Sequence, residues 1–566
     1  MVILRDVRSE FYNEIIGKRV LVCVCPDVDG LCTWKILKEL FKHRDVLYTL
    51  VVVKDKSDLK EAYMKNHDSF QVVLLLNCGA NFDIVGNLEP SEECIFYVCD
   101  SHRPIHVNNF YNQRQVKLMC LNEDTSLVPK FEEVFQDFSS GDSDEDSDEE
   151  QSKKLRPEDV EKRIEKRRWN RRRQELLMDY ESFSYYTVAS SVVMFDLAWK
   201  LSQENNCLLW YGIVGQTSQL ITHAINREHY IDQLDYLQSH MSRLSHVGQI
   251  HSGTSTNDEN KARIEIMFDD ELALWLYRHW SLKETMETSM VTASKFKLFT
   301  EGGQRRMYEF LVQLGLPRRE CAQLYSSMNS NLRDTLSSQF LQYGERYGLS
   351  RTDLFLPSFI VHLGYRTPMS AVDAVFLTIS ALECYNSGNP EENFQSALDA
   401  VACWSLPSLD KELLQAEMHL QNLANQVRNL LDTDDVVAFG PFLYVYIRKS
   451  SLVTHALRNS QSLAILSKYI LMAKASMRAK LGRGRRVVQM PLIVCIDSKT
   501  DDNYISLLGI PPIHGDDDRN LFGQAFEAAI SRTKARAEFK YFSTNCIELH
   551  REDMLKIFEA LSNLLT

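Results

Sequence analysis

Several motifs that would assign this chain to a common class are absent from its sequence. Its 13 cysteines include no C-x-x-C pair, and the closest two, Cys23 and Cys25, would lie on the same face of a strand. Neither a zinc module nor a disulfide framework is therefore indicated. The sequence has no G-x-x-x-x-G-K-[ST] and no G-x-S-x-G. This excludes nucleotide binding by a P-loop and gives no support for a serine hydrolase.

Long hydrophobic runs are also missing. The first residues, MVILRDVRSEF, lack a basic stretch followed by an apolar one, and the longest apolar runs, such as Cys207 to Val214, are far too short to span a membrane. Because no disulfide framework is indicated either, we predict a soluble protein of a reducing compartment, the cytosol or the nucleus.

A net positive charge is the third absence. The 566 residues contain 64 Lys and Arg against 77 Asp and Glu, a formal charge of −13. Proteins that coat duplex DNA carry the opposite balance, so any contact with nucleic acid must be local. With 44% hydrophobic and 25% charged residues, the composition is that of a globular chain long enough for several domains.

The first 125 residues alternate short apolar runs with helical patterns. The runs cover Arg19 to Cys25, Tyr48 to Val53, Gln71 to Leu76 and Cys94 to Cys99, and the segment Leu31 to Phe41 has apolar residues at helical spacing. Such alternation predicts βαβ units and a largely parallel, buried sheet, which places the chain in the α/β class.

The composition changes abruptly after residue 138. Seven of the nine residues from Asp142 to Glu150 are acidic, which predicts a disordered loop because the block cannot bury enough apolar surface to order itself. From Lys153 to Arg173 there are eleven basic residues against four acids, and Pro157 followed by acids predicts the start of a long charged helix. The net charge of −7 on the acidic loop and the net charge of +7 on the basic segment cancel.

The remainder divides into three predicted parts. Ser190 to Leu201 indicates an amphipathic helix, and Cys207 to Val214 a buried run. Residues 297–434 indicate a helical insertion and connector, whose apolar stripes predict core and a place for a partner interface: Met307, Phe310, Leu311, Leu314, Phe355, Phe359 and Val361. The end returns to an α/β pattern, with strands at Phe442 to Ile447 and Leu492 to Ile496 and helices at Leu521 to Ile530 and Asp553 to Leu565. The predicted division is 1–138, 139–175, 176–296, 297–434 and 435–566.

Polar motifs follow three of the predicted parallel strands. They are P-D-V-D-G after the first strand (Asp27 and Asp29), N-C-G-A after the third (Asn77) and D-S-H-R-P after the fourth (Asp100 and His102). Ligands of open parallel sheets bind beyond the carboxyl ends of the strands, and clustered oxygen ligands suit divalent cations. A single D-x-D is more often a helix cap, but three such motifs in order indicate a descendant of a two-metal phosphoesterase cleft.

These motifs resemble those of the DHH phosphoesterase superfamily, to which the bacterial exonuclease RecJ belongs. The variants N-C-G-A-N and D-S-H-R-P, the acidic insertion, YGIVGQT (Tyr211 to Thr217) and GPFLYVYI (Gly440 to Ile447) resemble the cell division control protein 45 family more closely, along essentially the whole chain. The resemblance implies a RecJ-like DHH parallel-sheet domain, a helical insertion and a C-terminal DHHA1-like α/β domain.

The departures from the superfamily pattern bear on catalysis. Asn77 stands where the resemblance implies a metal-bridging Asp, the segment Gly215 to Gln219 lacks the acid of the fourth motif, and the C-terminal G-G-H signature is absent. We therefore expect no enzyme activity, no metal and no cofactor, with vestigial site positions at Asp27, Asp29, Asn77, Asp100 and His102. We expect both Asp27 and Asp29 to accept N–H bonds from the following helix and Asp100 to pair with Arg103 or a nearby cation. We expect His102 to be a hydrogen-bonded cleft histidine, with metal ligation as the alternative.

The resemblance implies a non-catalytic subunit of the eukaryotic replicative DNA helicase in the nucleus. Its partners would be the MCM ring and the GINS complex, which it would bridge, together with replicative DNA polymerases and initiation factors, and single-stranded DNA is a further candidate ligand. The alternatives are a divalent-metal RecJ-type single-strand exonuclease and a free-standing single-strand binder. No membrane partner is expected.

Two basic segments are candidates for contact with single-stranded DNA. One is the charged helix around Trp169, where a solvated face is the alternative, and the other is a C-terminal cluster without interleaved aromatic residues: Lys474, Arg478, Lys480, Arg483, Arg485 and Arg486. Ser143 and Ser147 precede acids in a context that suits acidophilic kinases, with a merely solvating loop as the alternative.

Overall fold

The computed structural model of the chain describes residues 3–121, 123–135, 157–251, 264–364, 366–383, 389–402, 409–448, 457, 459–478, 490–498, 503–513 and 519–565. Its strands are β1 (Arg19–Val24), β2 (Leu47–Val52), β3 (Val72–Leu76), β4 (Ile95–Cys99), β5 (His102–Arg103), β6 (Val116–Leu118), β7 (Tyr185–Tyr186), β8 (Ile264–Leu272), β9 (Phe355–Leu363), β10 (Met369–Ser370), β11 (Val437–Phe439), β12 (Phe442–Ile447), β13 (Leu492–Asp497), β14 (Tyr504–Ile510), β15 (Ala537–Phe539) and β16 (Cys546–His550).

The α-helices of five or more residues are Val28–Lys42, Lys56–Asn66, Ile84–Leu88, Val107–Tyr111, Pro157–Tyr180, Ser190–Lys200, Asn206–Ile221, Arg227–His251, Leu282–Thr288, Met290–Phe296, Glu301–Gln313, Arg318–Ala322, Ser330–Gly344, Ala371–Leu382, Pro390–Val401, Asp410–Asp432, Ser460–Arg478, Phe522–Thr533 and Met554–Leu564. Within the described ranges, no helix is both long enough and apolar enough to cross a membrane.

The first sheet has the strand order β2-β1-β3-β4-β6, and every neighbouring pair is parallel. The predicted parallel sheet is therefore confirmed, with strand ends within one residue of the expected runs. Strand β6 was not predicted because three residues give too short a pattern to recognise. Strands β1 and β3 are continuous apolar runs since both faces of the sheet are covered.

Alternation along β1 assigns its side chains to two different cores. Val20, Val22 and Val24 pack with the helices Val28–Lys42, Ser190–Lys200 and Asn206–Ile221, while Leu21 and Cys23 face the helix Lys56–Asn66. The helix Ser190–Lys200 was predicted to be amphipathic, and that prediction is wrong. Its residues Ser190 to Ala198 are all buried, because it packs against the helices Val28–Lys42 and Asn206–Ile221.

A second, three-stranded sheet has the order β10-β9-β8 and corrects one sequence prediction. Phe355, Phe359 and Val361 were interpreted as a stripe at helical spacing, but they lie on the strand β9. All three are buried, so the prediction of core was right although the element was wrong. Spacings of four and two residues fit either element over such a short segment.

The C-terminal sheet has the order β11-β12-β13-β14-β16-β15, and only its β12–β13 pair is parallel. The two strands and two helices predicted from sequence are all present, within a residue or so at most ends. The charged helix begins at Pro157 as predicted. The acidic loop, with Ser143 and Ser147, lies outside the described residues.

Candidate functional site: a polar cleft at the strand ends of the first sheet

The three motifs meet where β1, β3 and β4 end. Asp27 is the N-cap of the helix Val28–Lys42: its Oδ1 accepts a hydrogen bond from Gly30 N at 2.6 Å. This is the role predicted for Asp27, because Asp is a preferred residue at this position. Burial and the neighbouring carboxylate of Asp29 raise the pKa of Asp27 to about 6.

Asn77 lies between the two aspartates, with its backbone in the left-handed region (φ 51°) that Asn tolerates better than most residues. Its side-chain Nδ2 donates to Asp27 Oδ1 at 3.1 Å and to Asp29 Oδ2 at 3.0 Å. Its Oδ1 accepts from Ser190 Oγ at 2.5 Å. The two carboxylates on one side and the hydroxyl on the other fix which end of the amide faces which partner.

Asp29 acts on a different helix from the one predicted. Its two oxygens accept from Ser190 N at 2.8 Å and from Ser191 N at 2.9 Å, at the start of the helix Ser190–Lys200. The carboxylate thus caps a helix that lies 161 residues further along the chain. Burial raises the pKa of Asp29. Gly215 makes this arrangement possible, because a Cβ there would meet Asp29 Oδ1 at 2.8 Å and would overlap Ser191 Oγ.

Asp100 pairs with His102 and not with Arg103; the sequence had left both Arg103 and another nearby cation open as its partner. Asp100 Oδ1 lies 2.6 Å from His102 Nδ1, and Asp100 Oδ2 accepts from Ala80 N at 2.9 Å. Burial alone would raise the pKa of Asp100, but the charge and hydrogen bonds of His102 outweigh it and hold that pKa below its usual value. The guanidinium of Arg103 binds Glu123 instead, at 2.5 and 2.8 Å, and donates to the backbone carbonyl of Asp100.

The side chains of the cleft do not fit a pair of metal ions. A bridging position requires an anionic oxygen, but the atom between Asp27 and Asp29 is the N–H donor of Asn77. Both oxygens of Asp29 and both oxygens of Asp100 already accept hydrogen bonds from the protein. In the parts of the chain that the structure describes, no group of three or more His, Cys, Asp or Glu side chains is arranged to hold a metal.

The cleft continues between the first sheet and the C-terminal part of the chain, and its empty volume of about 1340 Å³ is open to solvent. Its lining includes five polar residues that the sequence analysis did not select: Tyr186, Gln219, Gln461, Lys468 and Asn520. Gln219 lies inside a motif that was noted only for a missing acid. Gln461 gave no signal, because its contact with Val28 joins residues 433 positions apart.

The structure places the two basic segments that were candidates for contact with single-stranded DNA in different environments. Lys474 is buried and forms an ion pair with Asp434. The prediction that it presents its charge on a surface is therefore wrong. The other residues of that cluster, Lys480, Arg483, Arg485 and Arg486, lie outside the described residues, as does the side chain of Arg478. In the charged helix Trp169 is half-buried, and the guanidinium of Arg173 lies 5.9 Å from its ring.

The fold and the cleft together define a class: an α/β protein with a parallel sheet whose strand-end carboxylates are bound by the protein's own amide groups. Comparison with known sequences then gives the family. The family model of CDC45 matches residues 20–163 and 132–564, which together cover nearly the whole chain. The chain belongs to the CDC45 family.

Individual relatives agree with this assignment. The chain is 36% identical over 572 residues to the cell division control protein 45 homolog of Mus musculus and 35% identical to that of Homo sapiens, and 99% of each chain is covered in both cases. The crystal structure of CDC45 from Entamoeba histolytica has the same fold, with a TM-score of 0.67 at 19% identity over 99% of this chain and 98% of that one. Family membership supports a role in DNA replication, with partners in the replication machinery.

Proposed function

We propose that this chain is a non-catalytic subunit of the eukaryotic replicative DNA helicase, in which it bridges the MCM ring and the GINS complex in the nucleus. The observation that carries the non-catalytic part is the amide of Asn77. It donates to Asp27 and Asp29 at 3.1 and 3.0 Å, in the space where two-metal hydrolysis would need a bridging anion. The cleft therefore serves as scaffold.

A structural role for these carboxylates is supported by what they bind. Asp27 caps the helix Val28–Lys42 and Asp29 caps the helix Ser190–Lys200, so the two acids connect two helices at one edge of the sheet. Capping interactions of this kind each stabilise a helix by about 1 kcal/mol. The helix-capping role thus explains why Asp27 and Asp29 are present in a protein that does not hydrolyse a substrate.

Protein partners, rather than a DNA coat, are supported by the distribution of charge. The −7 of the acidic block and the +7 of the segment Lys153 to Arg173 cancel, so the net charge of −13 belongs to the rest of the chain. An acidic body repels phosphate backbones, and contact with single-stranded DNA would be restricted to local basic surfaces. We include such contacts, and those with replicative polymerases and initiation factors, in the proposal.

Two measurements test the proposal. Purified full-length chain is incubated with Mn²⁺ and 5′-labelled single-stranded DNA, and we expect no degradation. Turnover that is abolished by Asp27→Ala would instead make the chain a RecJ-type exonuclease.

The second measurement is affinity purification from nuclear extract followed by mass spectrometry, in which we expect MCM and GINS subunits. Their absence, combined with salt-dependent binding of single-stranded DNA by the isolated chain, would favour a free-standing single-strand binder.

A further inference from the structure

The helical wall of the cleft contains two buried glutamine amides. Gln219 lies on the helix Asn206–Ile221 and Gln461 near the start of the helix Ser460–Arg478, and they are only 3% and 6% exposed. Both line the cleft. The side-chain Nε2 of each is buried and has no hydrogen-bond partner among the described residues. Buried polar groups are nearly always hydrogen-bonded in folded proteins, so two such donors on residues that line one cavity call for an explanation.

Backbone amides fix the orientation of both side chains. Gln461 Oε1 accepts from Val28 N at 3.3 Å, so the opposite end of that amide is its NH₂ group. Gln216 Oε1 accepts from Ala189 N at 3.0 Å, and Gln216 Nε2 in turn donates to Gln219 Oε1 at 3.1 Å. Reversing any of these amides would bring two donors face to face. The two groups without partners are therefore hydrogen-bond donors.

On the opposite wall of the cleft, most carboxylate oxygens of Asp27 and Asp29 already accept hydrogen bonds from the protein. Both oxygens of Asp29 accept from backbone N–H groups, and one of them also accepts from Asn77. Asp27 Oδ1 accepts from Gly30 N and from Asn77. The protein uses these acceptors itself, whereas no described residue accepts a hydrogen bond from the Nε2 atoms of Gln219 and Gln461.

A positive charge lines the same wall. Lys468 is two turns beyond Gln461 on the helix Ser460–Arg478 and borders the cleft together with His223. Burial and the charge of Lys468 lower the pKa of His223 to about 3, which keeps that imidazole neutral near pH 7. Two amide donors and an ammonium group that line the same cleft suit a ligand that brings several acceptor oxygens and negative charge.

We propose that the wall formed by Gln219, Gln461 and Lys468 is a binding site for a small oxyanion, a phosphate or carboxylate group, which accepts hydrogen bonds from the two glutamine Nε2 atoms. This proposal is independent of the proposed function, because it concerns neither hydrolysis nor the binding of protein partners. The two sources of the anion, a phosphate compound or an organic acid, share the same chemistry at the site.

The test is calorimetric titration of the full-length chain with inorganic phosphate and, separately, with succinate, at constant ionic strength set by sodium chloride. We expect saturable binding of at least one of the two, and the stronger binder identifies the source. Gln219→Glu and Gln461→Glu each keep the Oε1 acceptor but replace the donor by a carboxylate oxygen. Each substitution should weaken binding by about tenfold or more, the loss expected for a charge-assisted hydrogen bond.

Further variants separate a binding defect from a folding defect. Lys468→Gln, at a partly exposed position, should also weaken binding, with an unchanged far-UV circular dichroism spectrum. Gln313→Glu, on an exposed helix end, is the matched control and should bind like the wild type. If neither anion binds saturably, or if binding is the same in all of these variants, the proposal is wrong.

Discussion

At the scale of single residues, one amide determines the character of the cleft. The Nδ2 of Asn77 satisfies two buried carboxylates at once, and Asn is also a residue that accepts the left-handed backbone found there. A carboxylate in its place would face Asp27 and Asp29 with no hydrogen to donate. Residue 77 therefore decides whether the two aspartates are hydrogen-bonded by the protein or would require a cation.

This gives a prediction for Asn77→Asp. The substitution replaces a donor by a third buried negative charge and should lower the free energy of unfolding by about 3 kcal/mol at pH 7.5. The loss should be smaller at pH 5, because a protonated carboxyl group can donate in place of the amide. Urea denaturation at the two pH values measures both effects.

The exposed Asn87 provides the control, and Asn87→Asp should change stability little at either pH. Equal losses in the two variants would show that the hydrogen bonds of Asn77 to the aspartates do not matter for stability.

A buried histidine gives a prediction for acid conditions. His419 is 1% exposed, its Nε2 lies 3.0 Å from Ser462 Oγ, and burial lowers its pKa to about 4. The unfolded chain, in which an ordinary histidine has a pKa near 6.5, binds more protons between these values. Stability should therefore fall as the pH drops from about 6.5 to about 4, by up to about 3 kcal/mol.

The variant His419→Gln removes that part of the pH dependence and should flatten the curve of melting temperature against pH over this interval. His43→Gln, at an exposed position, should leave the shape of the curve unchanged. A curve for His419→Gln as steep as that of the wild type would assign the acid sensitivity to other groups.

At the scale of elements, the cleft depends on close packing of the helix Asn206–Ile221. A Cβ at Gly215 would overlap Ser191 Oγ and would lie 2.8 Å from Asp29 Oδ1. Gly215→Ala should therefore destabilise the protein by about 1 to 3 kcal/mol, although alanine favours helix. Thermal denaturation of the purified variant measures the loss.

The chain provides a matched substitution at Gly302, also in a helix, where nothing lies within 4 Å of the added Cβ. Gly302→Ala should leave the melting temperature unchanged or slightly higher. A neutral Gly215→Ala would mean that the helix can move away from Asp29 without cost.

Secondary structure was predicted best where the spacing of apolar residues fitted only one kind of element, a strand or a helix. The buried apolar runs of β1, β3 and β4, and the strand-end motifs after them, follow from local composition. It failed at Phe355, Phe359 and Val361, whose spacing suits a helix or a strand, and it placed Asp29 on the nearest helix. The partners Ser190 and Ser191 are set by tertiary packing, which no local pattern encodes.

At the scale of the whole molecule, a lysine connects the C-terminal sheet to the first part of the chain. Lys540 lies 3.2 Å from Asp55 and 3.3 Å from Glu548, and all three side chains are largely buried. Lys540→Met leaves two carboxylates without this partner and should cost about 3 kcal/mol. Chemical denaturation provides the measurement.

A second ion pair serves as the comparison, since the exposed Lys556 lies 2.8 Å from Asp553, a buried carboxylate that also binds Arg536. Lys556→Met should change stability by less than about 1 kcal/mol. Similar losses in the two variants would contradict the idea that Lys540 holds distant parts of the chain together.

The bond from Val28 N to Gln461 Oε1 also joins parts of the chain that are far apart in sequence. The amide proton of Val28 is shielded from solvent by a side chain from the C-terminal region, and any separation of the two walls of the cleft would expose it. Its exchange rate in deuterated water therefore measures how often the cleft opens. A single backbone proton thus reports on a motion that involves both ends of the chain.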